Sequence, residues 1–288
     1  MTSTGRDALT LRIGGELEVG RLGFGAVRIV GPGVWGPPRD PDAMRRLLRH
    51  VVDSGVTLID TADCYGPEVS ERLIAEALHP YPAELVIATK CGQVCPRPDS
   101  WLPAGRPERL KRCCDASLAR LRLDCIDLYQ LHVVDPEVPI EDAVGALAEL
   151  RDAGKIRHIG LSNVTLEELT RARRVAPIAS VQNRYNVMER DSDDVVDFCA
   201  RHGTPFMPWF PLGRGRLADG ATAVDAVAAT KGATGAQIAL AWLLHRSPVM
   251  LPIPGTSSRE HFDENMASAE IALTGDDLRA LEMAAAAG

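Results

Sequence analysis

Apolar residues recur in short runs at 22–25, 57–60, 85–90, 125–131, 156–162, 180–185, 205–210 and 250–254. Each run reads as a strand. Amphipathic stretches separate them, at 43–54, 70–78, 107–121, 140–153, 166–175, 193–202, 235–245 and 258–268. In the third stretch Leu110, Cys114, Leu118 and Leu121 fall on one side at helical spacing. Strand–helix alternation predicts a parallel α/β architecture, and eight repeats is the number that closes a (β/α)8 TIM barrel. An alternating segment at 9–22, with Gly14-Gly15 at its centre, predicts an N-terminal β-hairpin. A last helix at 275–285 lies outside the count. The rival arrangement, a doubly wound open sheet, normally carries a glycine-rich turn after its first strand. Here Gly23-Phe24-Gly25 is followed by Ala26, Val27 and Arg28, so G-x-G-x-x-G is not completed. No linker, repeat or low-complexity tract divides the chain, which reads as one domain over residues 1–288.

Composition narrows the function classes. A chain of 288 residues with 45% hydrophobic content can build one large core. Its net charge of −7 argues against nucleic acid as a partner. A phosphate-bearing cofactor stays open, because it needs only a local patch of donors. The polar start at residues 1–7 predicts no signal peptide, and no apolar stretch is long enough to span a membrane. The seven cysteines are odd in number and irregularly spaced, with Cys113 and Cys114 adjacent, which points to free thiols and a cytoplasmic setting. Cys91 and Cys95 have a metal-like gap, but no second Cys or His pair follows them, so no metal site is expected. The chain is expected to be a monomer or a weak homo-oligomer.

Barrel chemistry collects where strands end at their C-terminal side. Read in order, those ends carry Asp60 with Tyr65 in the next loop, then Lys90, His132, Ser162-Asn163, Gln182, Trp209 and Pro254-Gly255-Thr256. Taken singly, these residues suit helix caps, surface charges or packing. Together they do more. Asp60 and Lys90 follow strongly apolar runs, so both are expected at a partly buried mouth, and a buried charge needs a partner. The two strands are neighbours, so an Asp60–Lys90 pair satisfies both. A lysine ammonium near a tyrosine hydroxyl stabilises the phenolate and is expected to lower its pKa. Tyr65 then serves as proton donor to a developing alkoxide, and His132 orients the carbonyl oxygen. No side chain supplies a hydride, which points to a nicotinamide cofactor.

These residues resemble the aldo-keto reductase superfamily over almost the whole chain. The resemblance rests on Leu58-Ile59-Asp60-Thr61-Ala62-Asp63-Cys64-Tyr65-Gly66 with Glu68 to Glu71, on Ile87-Ala88-Thr89-Lys90, on Leu128-Tyr129-Gln130-Leu131-His132, and on Ile159-Gly160-Leu161-Ser162-Asn163. It implies an NAD(P)H-dependent oxidoreductase, NADP(H) preferred and NAD(H) the alternative, with a catalytic tetrad of Asp60, Tyr65, Lys90 and His132. Ser162, Asn163 and Gln182 would then hold the nicotinamide carboxamide, and Gly25, Ala26 and Asp60 would line the cofactor site. Trp209 stands where the family usually has tyrosine, and its flat face still offers stacking. Phe210, Pro211, Leu212 and Arg214 would lie along the pyrophosphate. At the last strand the chain departs from the family pattern, with Gly255 in place of lysine and His261 in place of arginine. Pro254, Thr256, Ser257, Ser258 and Arg259 remain to take the phosphate, partly through the start of the next helix, and Glu264 and Asn265 to take adenine. The substrate pocket would be open, walled by Arg28, Trp35 and Trp101.

A narrower resemblance runs through Gly31 to Asp40, Ser100 to Pro103 and Ile253 to Ser258. It is to a bacterial subgroup that includes pyridoxal reductases, which makes pyridoxal a candidate substrate beside a tailoring reduction in a small-molecule pathway. Two other classes compete. One is an NADP(H)-binding regulatory or sensor subunit with little turnover. The other is a barrel isomerase or lyase using Lys90 as a Schiff base.

Overall fold

The computed structural model describes residues 10–213 and 223–287. Strands β1 (Thr10–Ile13) and β2 (Leu17–Gly20) pair antiparallel, with Ile13 opposite Leu17. Gly14 and Gly15 both take positive φ in the turn between them, as a tight hairpin requires. The main sheet is parallel, with sequential neighbours β3 (Phe24–Gly25), β4 (Leu58–Asp60), β5 (Val86–Cys91), β8 (Ile126–Leu131), β9 (Ile156–Ser162) and β10 (Ser180–Gln182). A small two-stranded ribbon, β6 (Gln93–Val94) with β7 (Leu102–Pro103), stands in the loop after β5.

The seventh and eighth expected strands are present as extended chain held by isolated bridges. Phe206 bridges Val181 on one side and Met250 on the other. The ring closes where the Gly23 N–H donates to Pro252 O (3.0 Å) and the Gly25 N–H to Pro254 O (3.3 Å). Regular ladders fail here for a covalent reason. Pro205, Pro208, Pro252 and Pro254 have no N–H to donate.

Helices α1 (Pro41–Asp53), α2 (Val69–Leu78), α3 (Pro107–Leu121), α4 (Ile140–Asp152), α5 (Leu166–Val175) and α6 (Asp193–His202) follow the strands in turn. Helices α8 (Gly235–Arg246), α9 (Arg259–Ala267) and α10 (Gly275–Ala287) complete the expected set. Helix α7 (Ala223–Lys231) was not expected. Its Ala- and Val-rich sequence buries Val224, Val227 and Ala228 but has little polar contrast to mark a face.

The core is layered. Ile13, Leu17 and Val19 of the hairpin join Leu58, Val86, Ala88, Leu128, Met207, Leu251 and Ile253 in one buried cluster inside the ring. The hairpin therefore plugs the N-terminal end of the barrel, and the other end is left for polar groups. Outward residues such as Ile59, Ile87, Tyr129 and Ile159 pack under the helices. The period of two that alternates these faces also carries Asp60, Lys90, Gln130 and Gln182 inward at the C-terminal strand ends. Among the described residues, no helix is long and apolar enough to cross a membrane.

Candidate active site

The inward residues of four strands meet in one buried cluster. Lys90 Nζ lies 2.5 Å from Asp60 Oδ2 and donates also to Thr61 O at 2.8 Å. Lys90 is fully buried and Asp60 nearly so. The expected charge pair is therefore formed, and each partner answers the desolvation of the other. Asp60 Oδ1 accepts from Gln130 Nε2 (2.9 Å) and from Gln182 Nε2 (3.0 Å). Gln130 was missed in the sequence reading. It shares strand parity with Leu128 and His132, so the alternation along β8 could have revealed it. Its room comes from Gly160, where a Cβ would sit 2.7 Å from Gln130 Cγ and 2.4 Å from Ser180 Oγ.

Tyr65 sits in the turns after β4, above this pair. Lys90 Nζ lies 5.4 Å from the centre of its ring. The ring meets Trp101 edge-on at 6.4 Å and His132 edge-on at 5.8 Å between centroids. Struts hold the loop in place. The Thr61 N–H donates to Ala88 O (2.8 Å), the Asp63 N–H to Lys90 O (3.2 Å), and Thr61 Oγ1 bonds Ser70 Oγ at 2.7 Å. Beneath it the buried Glu71 carboxylate accepts from Thr89 Oγ1 (2.7 Å) and from Arg120 Nε (2.6 Å), tying α2 and α3 to the strand that carries Lys90.

The electrostatics correct one expectation. Burial first, and then the Asp60 carboxylate, push the Tyr65 hydroxyl well above the ordinary phenol range. Burial and that carboxylate outweigh the pull of the Lys90 ammonium, which is itself paired with Asp60. Tyr65 is therefore a phenol that keeps its proton at neutral pH. His132 is pushed the other way. Burial and the nearby Lys90 ammonium hold its imidazole well below the usual histidine range, so the ring is neutral.

Asp63 is the group at odds with its surroundings. Burial pushes its carboxyl up to about 7, Glu71 adds to the rise, and Cys113, Arg120 and Arg109 oppose it. Its Oδ1 has no hydrogen-bond partner. An acid whose folded pKa exceeds its ordinary 3.8 binds more protons folded than unfolded between those values, so it lowers stability as pH rises from about 4 to 7. Asp63→Asn is expected to raise Tm more near pH 8 than near pH 5, read by thermal unfolding at both. An equal shift at both pH values would count against the buried acid.

The remaining candidates fall into groups. Ser162 is buried, and Asn163, at φ 57°, donates from Nδ2 to His132 O (2.9 Å) and Ser162 Oγ (3.1 Å). Asn163 Oδ1 accepts from Trp209 Nε1 at 2.9 Å, which fixes the half-buried indole. Asn163 thus spends most of its bonding capacity on framing the site. Gln182 Nε2 serves Asp60, which leaves its oxygen as the free end. Phe210, at φ 62°, takes the Arg184 guanidinium over its ring at 4.5 Å, Pro211 is buried, and Leu212 packs against the core. Arg214 lies outside the described residues.

Gly25 and Gly255 meet at the barrel seam, where a Cβ on Gly255 would lie 2.6 Å from Gly25 O. Ala26 and Pro254 are buried beside them. At the start of α9, Ser258 Oγ accepts from the His261 N–H (3.3 Å) and donates to Glu260 Oε2 (2.7 Å), while Thr256 Oγ1 accepts from the Ser258 N–H (3.0 Å). Ser257, Arg259 and His261 are exposed there, Glu264 is half-buried and Asn265 is buried. Trp101 reaches Tyr65 directly, and Trp35 packs against the cluster that contains Tyr65. Arg28 is exposed and bonds to none of these groups. Cys91 and Cys95 are buried free thiols, and the described residues hold no cluster able to bind a metal.

A parallel barrel thus carries a buried Lys–Asp pair at its C-terminal mouth, with a tyrosine that keeps its proton and a neutral histidine beside it. The chain belongs to the Aldo/keto reductase family, which it matches over residues 21–286. It is 44% identical over 274 residues to pyridoxine 4-dehydrogenase of Escherichia coli, covering 93% of this chain and 96% of that relative. It is 45% identical over 262 residues to an uncharacterized oxidoreductase of Schizosaccharomyces pombe, covering 91% of this chain and 85% of that one. Among solved structures it resembles an aldo-keto reductase from Klebsiella pneumoniae in complex with NADPH, with TM-score 0.81 and 30% identity over 95% of this chain and 94% of that one.

Proposed function

We propose that this chain is a carbonyl reductase that prefers NADP(H), uses NAD(H) as the alternative, and reduces an aldehyde or ketone to an alcohol. The observation that carries this reading is the stack of Asp60, Lys90, Tyr65 and His132, in which a protonated phenol stands beside a buried ammonium and a neutral imidazole. The cofactor site fits by its donor set. The half-buried Trp209 offers a flat face, the Ser162 hydroxyl and Gln182 oxygen suit a carboxamide, and the N-terminus of α9 suits a phosphate. When bound, a nicotinamide dinucleotide supplies the hydride that reduces the carbonyl carbon.

The chain's own residues do the rest. The neutral His132 ring donates to the carbonyl oxygen and aligns it. Tyr65 Oη gives its proton to that oxygen as negative charge builds there. Lys90 stabilises the phenolate left behind, while Asp60, braced by Gln130 and Gln182, holds Lys90 charged and aimed. Asn163 positions Trp209. Trp101, set edge-on to Tyr65, and Trp35 favour a flat aromatic substrate, and the likeness to a pyridoxine dehydrogenase supports pyridoxal within that class. NADPH and NADH oxidation against pyridoxal, other aromatic aldehydes, simple ketones and sugars tests the reading. Turnover is expected with aromatic aldehydes above sugars, and no oxidation with any carbonyl would overturn it.

Glu260 bears on the cofactor's 2′ end. Its carboxylate accepts from Ser258 and stays below the usual glutamate range, so a negative charge stands beside the phosphate-binding candidates Ser257, Ser258, Arg259 and His261. Glu260→Ala is expected to tighten NADPH about 2- to 5-fold, the size of one charge at a helix start, and to leave NADH unchanged. Binding titrations of both dinucleotides check it, and equal effects on the two would place the phosphate elsewhere.

A further inference from the structure

His132 can donate to a substrate oxygen only from one of its two ring nitrogens. A neutral imidazole has one N–H and one bare nitrogen, and whichever partner engages one side decides the other. In this site Cys64 Sγ lies 3.5 Å from His132 Nδ1, and both residues are buried. Among the described residues no other polar atom bonds to the ring. Nε2 is therefore the nitrogen left for substrate.

We propose that Cys64 is a positioning residue that sets the tautomer of His132, its S–H donating to Nδ1 and so keeping the ring proton on Nε2. The direction of the bond follows from chemistry. Burial, with Asp63 nearby, holds the Cys64 thiol well above its ordinary value, so it remains S–H and can donate. A thiol sulfur is a weak acceptor, whereas the bare nitrogen of a neutral imidazole is a good one. The ring has little freedom to turn away. The His132 backbone is fixed, the main-chain N–H donating to Cys91 O at 2.7 Å and the main-chain carbonyl accepting from Asn163 Nδ2 at 2.9 Å, and the Tyr65 ring abuts the imidazole edge-on. The turn that presents Tyr65 as proton donor thus also presents, one residue earlier, the group that prepares its partner. The proposal rests on the reading of the site as a carbonyl reductase, but the state of the ring can be read without turnover.

The test is nitrogen-15 NMR of the full-length protein labelled at histidine, with His132 assigned by His132→Gln, in wild type, Cys64→Ala and Cys64→Ser. Wild type is expected to show a bare Nδ1 and a protonated Nε2. Cys64→Ala is expected to shift His132 toward mixed tautomers and to lower kcat/KM about three- to tenfold, the worth of one neutral hydrogen bond, with NADPH affinity unchanged. Cys64→Ser, whose hydroxyl can also donate, is expected to restore the wild-type ring signals and most of the activity. A protonated Nδ1 in wild type, or unchanged His132 signals in Cys64→Ala, would overturn the proposal even if the enzyme is active. A protein that turns over no carbonyl substrate yet shows the expected ring signals would instead count against the reductase reading alone.

Discussion

Tyr65→Phe is expected to lower kcat for carbonyl reduction by about 10²- to 10⁴-fold, the range carried by one positioned acid. The change removes a single oxygen from a ring that keeps its edge contacts with Trp101 and His132, so the mouth retains its shape. The Kd for NADPH is expected to stay near the wild-type value, because the hydroxyl removed is not among the candidate cofactor contacts. Steady-state kinetics with an aromatic aldehyde, beside a binding titration, separates the two effects. Full activity in the phenylalanine variant would show that another group delivers the proton.

Lys90→Met is expected to cost both activity and stability. The ammonium is fully buried against Asp60, and its removal leaves a carboxylate at the barrel's inner mouth. Breaking a buried pair on one side costs about 3–5 kcal/mol. The lower end applies here, because Gln130 and Gln182 still donate to Asp60 Oδ1. For a domain of this size a loss of about 3 kcal/mol is a fall in Tm of roughly 5 °C. Adding Asp60→Asn to Lys90→Met is expected to recover part of that loss and none of the turnover, since the uncompensated charge goes but the support of the phenolate does not return. Thermal unfolding of the two single variants and the double variant decides it. A double variant no more stable than Lys90→Met would mean that the pair is not the source of the cost.

How much of this was legible beforehand differs by feature. The pair of Asp60 and Lys90 was readable because each ends a strongly apolar run and neither charge can stand there alone. Gln130 was legible in principle from the strand parity it shares with His132, yet a glutamine inside an apolar run looks like an ordinary interruption until its partner is seen. The last two strands were recognised as apolar runs, but their prolines reduce them to bridges, a matter of missing N–H groups that run length does not report. Helix α7 lacked the contrast between faces on which such recognition depends. The expected lowering of Tyr65 failed for a different reason. The sequence placed a lysine near a tyrosine, but only the packed site shows how far burial and the Asp60 carboxylate act on the phenol.

By itself the sequence determined the alternation of strand and helix, the hairpin at the start, and the identity of the polar residues that end each strand. Those follow from local periodicity and from the rule that buried charge needs a partner. The tertiary structure decided which of those residues touch. It gave Asn163 to Trp209 and His132, set Gln130 and Gln182 on Asp60, and brought Cys64 to the ring of His132. The physical reason is that contact across a closed barrel depends on register and stagger between strands far apart in the chain, and no local pattern encodes those distances.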